Sequence, residues 1–573
     1  MCGFVGGTDP NWNYSRALDA IAHRGPDDSQ LLHGESVSLG FRRLAIIDLN
    51  AAANQPMCAS STDVCLVFNG EIYGFRQIRE ELERLGAQFS THSDTEVVLQ
   101  AYLTWGDSFI DKIDGMFAIA LWDARQRKIK LFRDRAGIKP LYYYYDGKQF
   151  AFASELKAIE SALPTELLRV DGTALYDFLG YRYVPAPKTL YRNVFKLEPG
   201  HTIEFDVANA RLSAPQRYWQ LDPSLDRNIE FAEACEELRR LIAASVSDQL
   251  IADVPVGFFL SGGVDSSVVV AAAALLGADV QTFSIGFDAD SVSETPFARQ
   301  VAEQFDTDHF ERILSPDEAR HLLPRLKEWF DEPFADESAM PTWLVSAAAR
   351  EKVTVVLTGD GGDEVFGGYR TYPRFERYDK WPHWPDSMEK VSWALRSRAH
   401  RRSARSRVLQ LLEMGFSSGP GLWARIMGGM PTPAKASYRR RLEIPDDYED
   451  WWHFAKYWRE DLPIRTRLQY VDFHTFMPGL VLTKVDRTSM AVSLEARVPL
   501  LDRRIIEFSF SLPEEIRLPR GAPKGLLREA YRGILPDEIL DRRKKGFGIP
   551  RYYLGNLGDG IPVQEHILKT LFL

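Results

Sequence analysis

Cysteine is scarce in this sequence, with four among 573 residues: Cys2, Cys58, Cys65 and Cys235. Such low usage suits a reducing cytoplasm, and no pair stands at metal-ligand spacing. The 11 histidines form no HxxxH pair beside a glutamate, which argues against a zinc site. No apolar run approaches the roughly 18 residues that a bilayer span requires, which argues against a membrane protein. The amino terminus shows no basic stretch followed by an apolar one, so nothing reads as a signal peptide. Positive charge is not in excess. The net charge of -10 argues against a nucleic-acid or membrane-surface binder, whose footprint is basic. Internal repeats and low-complexity segments are lacking too. What is present is ordinary for a globular chain, 45% apolar and 26% charged. Its length exceeds what one hydrophobic core organises, so two or more domains are expected.

The pattern of the chain changes near its middle. Up to residue 205, short β-rich runs dominate: Val37 to Phe41, Cys65 to Phe68, Met116 to Trp122, Lys128 to Phe132 and Phe150 to Ala153. One helix stands out, with Phe75, Ile78, Leu82 and Leu85 at helical spacing and Gly86 as the stop. Residues 206–228, with Pro215 and Pro223, read as a linker. From 229 to 573 the order alternates. A helix over Phe231 to Leu250 precedes the strand Val254 to Leu260, a Gly-rich turn and an Ala-rich helix to Leu276. Strands at Val280 to Phe287 and Val353 to Leu357 follow, which predicts a parallel sheet of an α/β domain. After Tyr369 the sequence becomes helical and aromatic. The basic stretch Arg396 to Arg407, carrying Arg398, Arg401, Arg402 and Arg405, reads as a solvated helix face in preference to a docking surface for an acidic partner.

Chemistry is suggested first by Cys2. With Met1 removed, its own α-amine, of pKa near ~8, can serve as base to its thiol. A cysteine at position 2 proves little alone, but a set of residues surrounds it. Amide hydrolysis passes through an oxyanion that needs fixed donors, and the Asn69 amide with the Gly70 N–H, at a strand end, could supply them. Glutamine as substrate presents a carboxylate and an ammonium. Arg43 could clamp the first, and Glu71 with Asp94 could hold the second. Bland readings compete: Asn-Gly is a common turn and Ser-Asp a common helix cap.

The strings MCGFVG, HRGPDD, RLAIID, FNGEIY, SDTE, DGMFAIALWD and RDRAGIKPLYY, in that order, resemble the class II, N-terminal-nucleophile glutaminase domain. That resemblance implies a four-layer αββα fold, with Cys2 as nucleophile and Asn69 and Gly70 as oxyanion hole. It implies glutamine binding by Arg43, Asn69, Glu71 and Asp94. One departure is Gly74, where the family usually carries Asn.

The second centre is Ser261-Gly262-Gly263-Val264-Asp265-Ser266-Ser267, between a strand and a helix. Small residues let the backbone approach a phosphate, and a helix N-terminus favours negative charge. No lysine follows the glycines, so this is not the Walker A loop. The loop resembles the PP-loop of ATP pyrophosphatases, which attach AMP to an oxygen. Thr358-Gly359-Asp360-Gly361-Gly362-Asp363-Glu364 also follows a strand. Asp265 and Asp363 are candidate Mg²⁺ ligands, and two such strand ends can face one crevice.

Over residues 1 to about 550 the chain is similar to the glutamine-dependent asparagine synthetases. LTKVDR at Leu482 to Arg487, SLEARVP at Ser493 to Pro499, DEPFADESAMPT at Asp331 to Thr342 and PKGLLR at Pro523 to Arg528 carry the match. The resemblance implies ATP binding by Leu260, Ser261, Gly262, Gly263, Asp265, Ser266, Ile285, Thr358 and Gly359. It implies Mg²⁺ on Asp265 and Asp363, catalytic roles for Asp360 and Lys524, and often a homodimer. Without it, Lys524 reads as an exposed charge after a proline. The family usually has Glu where Asp360 stands, which opens the identity of the acceptor. Aspartate is the default; a uronic acid of a surface polysaccharide or a natural-product precursor is the alternative. A tRNA-modifying PP-loop enzyme is disfavoured by the Cys2 domain and the acidic charge. A non-catalytic protein is disfavoured by the presence of Cys2, Asp265 and Asp363. An enclosed passage for ammonia between the domains is expected, although no residue identifies it.

Overall fold

In the computed structural model, the described residues are 2–59, 63–224, 227–288, 294–381, 384, 392, 395, 409, 411–542, 548, 553 and 563–568. The basic segment containing Arg398, Arg401, Arg402 and Arg405 lies outside them. The first half is built from β1 (Gly3–Gly7), β2 (Asp28–His33), β3 (Ser38–Arg43), β4 (Met57–Ala59), β5 (Val64–Tyr73) and β6 (Asp114–Asp123). It continues with β7 (Lys128–Arg133), β8 (Tyr142–Tyr145), β9 (Phe150–Ala153), β10 (Val194–Lys196), β11 (His201–Asp206), β12 (Arg211–Leu212) and β13 (Gln216–Arg217).

These strands make two antiparallel sheets, ordered β10-β8-β9-β1-β3-β2 and β12-β11-β7-β6-β5-β4, with β13 also paired to β11. The sheets face each other through Phe4, Phe41, Val67, Ala118, Ala120 and Phe152. Helix Asp94–Trp105 covers the outer face of one sheet, its Val98 and Tyr102 packing with Phe68 and Phe117. Helices Tyr14–Ala20 and Leu156–Ala162 cover the other, with Leu18 and Ile159 beside Val5 and Ala153. This is the αββα arrangement. It explains why β5 and β6 are apolar almost throughout, since both faces of an inner strand are covered. Strand β11 instead alternates, burying His201, Ile203 and Phe205.

The residues between 206 and 228, read as a linker, contribute β12 and β13 to the second sheet. The predicted helix spans Phe75–Arg84 and buries Phe75 and Leu82. Leu85 falls at its end and is 60% exposed, because the chain turns at Gly86 before another helical turn completes. Gly74 has φ 68°, a left-handed conformation that glycine and asparagine tolerate best, so the departure from Asn has a backbone reason. Cys58 and Cys65 are directly opposite on β4 and β5 and form a disulfide.

The second half holds β14 (Val256–Phe259), β15 (Gln281–Phe287), β16 (Asp308–Leu314), β17 (Val355–Leu357) and β18 (Glu495–Arg497). They form a parallel sheet in the order β16-β15-β14-β17-β18. Successive strands move one way from β14 to β16, then the chain returns to place β17 on the other side. The switch point lies between β14 and β17, and ligand crevices of open α/β sheets form outside the carboxyl ends at such a point. Beyond β17 the chain is mainly helical. Helix Ile464–His474, a wide turn at Met477–Leu482 and helix Thr483–Met490 lead back to the sheet through β18. Among the described residues no helix is long and apolar enough to cross a membrane.

Candidate active sites

Cys2 precedes β1, beside the inner strand β5. Its backbone N donates to Asn69 Oδ1 at 3.0 Å, and its Sγ lies 3.7 Å from the Leu44 carbonyl oxygen. Burial pushes the thiol above its ordinary value, and Glu495 adds to that push. Asn69 is wholly buried, and its Nδ2 has no partner among the described residues. An orphaned buried donor costs about 1–3 kcal/mol unless something completes it, which an incoming oxyanion would do. Gly70 has φ +154°, and a Cβ there would stand 2.0 Å from the Met116 carbonyl oxygen. Only glycine lets β5 run this close to β6 next to Asn69.

Cys2, Arg43, Gly70, Glu71 and Asp94 line one cavity of about 30 Å³. That is room for very little water, so a glutamine requires the lining to part. The wall over it is the 47–54 segment, which Arg43 ties down. Its Nη1 donates to the Asn50 carbonyl at 2.9 Å and to Asn54 Oδ1 at 2.5 Å, and its Nη2 donates to the carbonyls of Ile47 and Asp48. The expected carboxylate clamp is thus committed to three backbone carbonyls and the Asn54 side chain in this state, so it could hold a carboxylate only by re-sharing its N–H groups. Gln55, not anticipated from sequence, splices this wall to the strand, with Oε1 accepting from Phe68 N at 2.6 Å and Nε2 donating to Phe68 O at 3.2 Å.

Glu71 and Asp94 share the far end of the cavity. Ser93 caps helix Asp94–Trp105, accepting from Glu96 N at 3.3 Å, while Asp94 Oδ2 accepts from Ile72 N at 3.0 Å. The bland cap reading and the functional one therefore coexist. Burial lifts Asp94 to about 6. Burial, Glu495 and Asp94 together lift Glu71 well above the carboxylate range. Two buried acids, both raised by burial and by the nearby Glu495, are a ready site for an ammonium group.

In the second domain a cavity of about 670 Å³ opens at the switch point. Leu260, Ser261, Gly263, Asp265, Ser266, Ile285, Thr358, Gly359, Asp360, Asp363 and Lys524 all line it. Gly262 does not. At φ 69° it turns away, and a Cβ there would meet Ala298 N at 2.6 Å, so its glycine serves helix packing. Gly263 N donates to Ser261 Oγ at 3.2 Å, and Ser266 Oγ accepts from Ser261 N at 3.2 Å, which folds the loop onto the start of helix Val264–Leu275. The two glycine loops touch: a Cβ on Gly359 would stand 2.6 Å from Ser266 N.

Lys524 is buried rather than exposed. Its Nζ is 2.6 Å from Asp363 Oδ1 and also bonded to Asp265. Burial opposes its charge, yet the two aspartates hold its pKa above the usual lysine range. Two carboxylates converging on one cation are hard oxygen donors of the kind Mg²⁺ takes alongside phosphates, so the residues fit that ion. Asp360 follows on the same loop, and Lys484 Nζ lies 3.7 Å from its Oδ1. Lys484 sits within the quoted LTKVDR string, but no role could be read for it without its partner in view.

The domains meet through buried charge. Arg24 donates to the Cys2 carbonyl at 3.0 Å, to Glu155 at 2.7 Å and to Asp486 in bidentate fashion at 2.8 and 2.9 Å. Arg487 reaches Glu155 at 2.9 Å and also pairs with Asp331. Helix Thr483–Met490 therefore presents Lys484 to the larger cavity and Asp486 to the residue that holds Cys2.

A buried thiol beside an amide donor with no partner among the described residues, coupled to a nucleotide-type crevice with paired aspartates, fits a glutamine amidotransferase joined to an ATP-using ligase domain. Comparison with known proteins agrees. The asparagine synthase family matches residues 237–569, and the glutamine amidotransferase domain matches residues 1–219. The chain is 35% identical to asparagine synthetase [glutamine-hydrolyzing] 1 of Bacillus subtilis, over 97% of this chain and 88% of that one. It is 35% identical to a putative asparagine synthetase [glutamine-hydrolyzing] of Mycobacterium bovis, over 96% and 86%. It is 27% identical to amidase chry2 of Gibberella zeae, over 94% and 85%. The chain belongs to the asparagine synthase family, in its glutamine-dependent form.

Proposed function

We propose that this chain makes asparagine, converting ATP, L-aspartate, L-glutamine and water to AMP, diphosphate, L-asparagine and L-glutamate. Once Met1 is removed, the Cys2 thiol attacks the glutamine carboxamide, its proton passing to the α-amine. Asn69 Nδ2 and the Gly70 N–H receive the oxyanion; Glu71 and Asp94 hold the ammonium, and Arg43 the carboxylate. Ammonia leaves, and water resolves the thioester. In the other cavity the acceptor carboxylate attacks the α-phosphorus of ATP. Ser261, Gly263 and Ser266 cradle the phosphates, Leu260 and Ile285 contact the nucleoside, and Thr358 and Gly359 close the crevice. Lys524 opposes the charge that develops there. Mg²⁺, held by Asp265 and Asp363, would neutralise the diphosphate. Asp360 positions the acceptor, and ammonia displaces AMP.

The observation that carries this reading is the orphaned Asn69 donor beside Cys2, in one chain with the Asp265–Lys524–Asp363 cluster. A single incubation with glutamine, Mg-ATP and aspartate tests it by mass spectrometry. Asparagine, glutamate, AMP and diphosphate appear together if it is right. A second reading rests on Asp360, whose carboxylate is one methylene shorter than the family's glutamate. It would leave room for another carboxylate acceptor. Glutamate without asparagine or AMP in the same incubation would favour it. A homodimer and a cytoplasmic location belong to the same proposal. The Cys58–Cys65 bond weighs against such a location, since disulfides are rare in a reducing cytoplasm.

A further inference from the structure

The glutamine site is not built by the glutaminase domain alone. Strand β18, the edge of the parallel sheet, places Arg497, with Glu495 bonded to it, behind the cavity's Glu71. Arg497 is almost fully buried, and its fork is divided among four partners. Nε donates to Glu495 at 2.7 Å, Nη1 to the carbonyls of Gln249 at 2.7 Å and Ile251 at 2.8 Å, and Nη2 stands 3.4 Å from Glu71 Oε1. The backbone of the same residue faces the other centre. Its carbonyl accepts from Thr358 N at 2.9 Å, the first residue of the loop that carries Gly359, Asp360 and Asp363. One residue thus touches an ammonium-binding carboxylate with its side chain and the nucleotide loop with its main chain.

We propose that Arg497 is a positioning residue for glutamine, supplied by the synthetase domain, which links glutamine affinity to occupancy of the ATP and acceptor cavity. The inference rests on Glu71 binding the glutamine ammonium. Of the groups that set the charge of Glu71, burial, Glu495 and Asp94 oppose ionisation while Arg497 favours it. A shift of Thr358 as nucleotide and acceptor fill the crevice moves the Arg497 backbone, and with it the Nη2 that faces Glu71. A guanidinium is needed because an ammonium has too few donors, in the wrong geometry, to hold all four partners. Coupling between two sites of this kind typically amounts to about 5–150-fold in affinity.

The test compares the native protein with Arg497→Lys. Glutamine KM and kcat are read from glutamate release, with and without Mg-ATP plus aspartate, and synthesis is read with ammonium chloride in place of glutamine. In the native protein the nucleotide and acceptor should lower glutamine KM about 10-fold, within the usual range for coupled sites. In Arg497→Lys the KM should rise by at least that factor and lose its dependence on nucleotide, with kcat and ammonia-supported synthesis little changed. An unchanged KM, or a nucleotide effect that survives the substitution, overturns the proposal. If the variant does not fold, which loss of ammonia-supported synthesis reveals, the native protein still decides: a glutamine KM indifferent to Mg-ATP and aspartate overturns it. Failure of the functional reading looks different, because the native protein then makes no asparagine from either nitrogen source.

Discussion

Replacing Asn69 with alanine separates glutamine hydrolysis from synthesis. The side chain does two things at once. Its Oδ1 accepts from Cys2 N at 3.0 Å, and its Nδ2 has no partner among the described residues and is open to an oxyanion. Losing one preorganised oxyanion donor costs about 2.7–4 kcal/mol in the transition state. Losing the bond that orients the nucleophile costs about 1 kcal/mol more. Together, about 4–5 kcal/mol corresponds to a fall of about 10³-fold in kcat for glutamate release. Synthesis from ammonium chloride should stay within about twofold, because Asn69 contacts nothing in the larger cavity. Asn69→Asp sharpens the test. It keeps the shape and an acceptor for Cys2 N but replaces the donor with an oxygen, so it should lose at least as much. Glutamate release within tenfold of the native rate in either variant would refute the donor role. Equal loss of both nitrogen sources would refute the separation.

Lys524→Met should abolish synthesis from glutamine and from ammonia while leaving basal glutamate release intact. It strands Asp265 and Asp363 together at about 3–5 kcal/mol, so MgCl₂ should raise its melting temperature more than that of the native protein, in a thermal-shift assay. Glutamine binding should weaken in acid. Glu71 and Asp94 must be ionised to hold an ammonium; Asp94 is raised to about 6 and Glu71 well above the carboxylate range, so KM for glutamine should already climb above pH 6 and rise further as pH falls through it. The acid limb in kcat should lie lower, since the bound ammonium favours the ionised acids; a KM flat down to about pH 5 would contradict this. Asp486→Asn removes a charged bidentate partner from Arg24, at about 2–3 kcal/mol because Glu155 still faces it. Glutamate release and melting temperature should both fall, with synthesis from ammonia the less affected.

Much of the fold was legible because burial leaves a pattern. Strands covered on both faces, such as β5 and β6, read as apolar runs, and the glycine loops after β14 and β17 sit at strand ends where their spacing predicted. Cys2, Gly70, Glu71 and Asp94 do share one cavity, and Asn69 is joined to it by the hydrogen bond from Cys2 N. What escaped depends on partners far away in the chain. Lys524, between Pro523 and Gly525, looks like a surface charge until Asp265 and Asp363 are folded around it. Arg43 looked like a free clamp, yet its fork is taken by carbonyls four to eleven residues on. Gly262 belongs to the loop by sequence but faces Ala298, since a φ near +69° aims its position out of the crevice. Glu495 and Arg497 stood inside a noticed string, but nothing local says that they point across a domain boundary.

The buried charges of the interface bear on how such a chain can be divided or recombined. Arg24 is entirely hidden, and its acids come from both halves: Glu155 from its own and Asp486 from the other. A chain cut between the halves would leave Arg24 and Arg487 each missing part of its complement, and Cys2 without the fixed guanidinium behind its carbonyl. A glutaminase half expressed alone should therefore be a poor enzyme even if it folds. By the same logic, grafting a different acceptor domain onto this amino-terminal half would require carrying Asp331, Asp486, Arg487, Glu495 and Arg497 along as one unit.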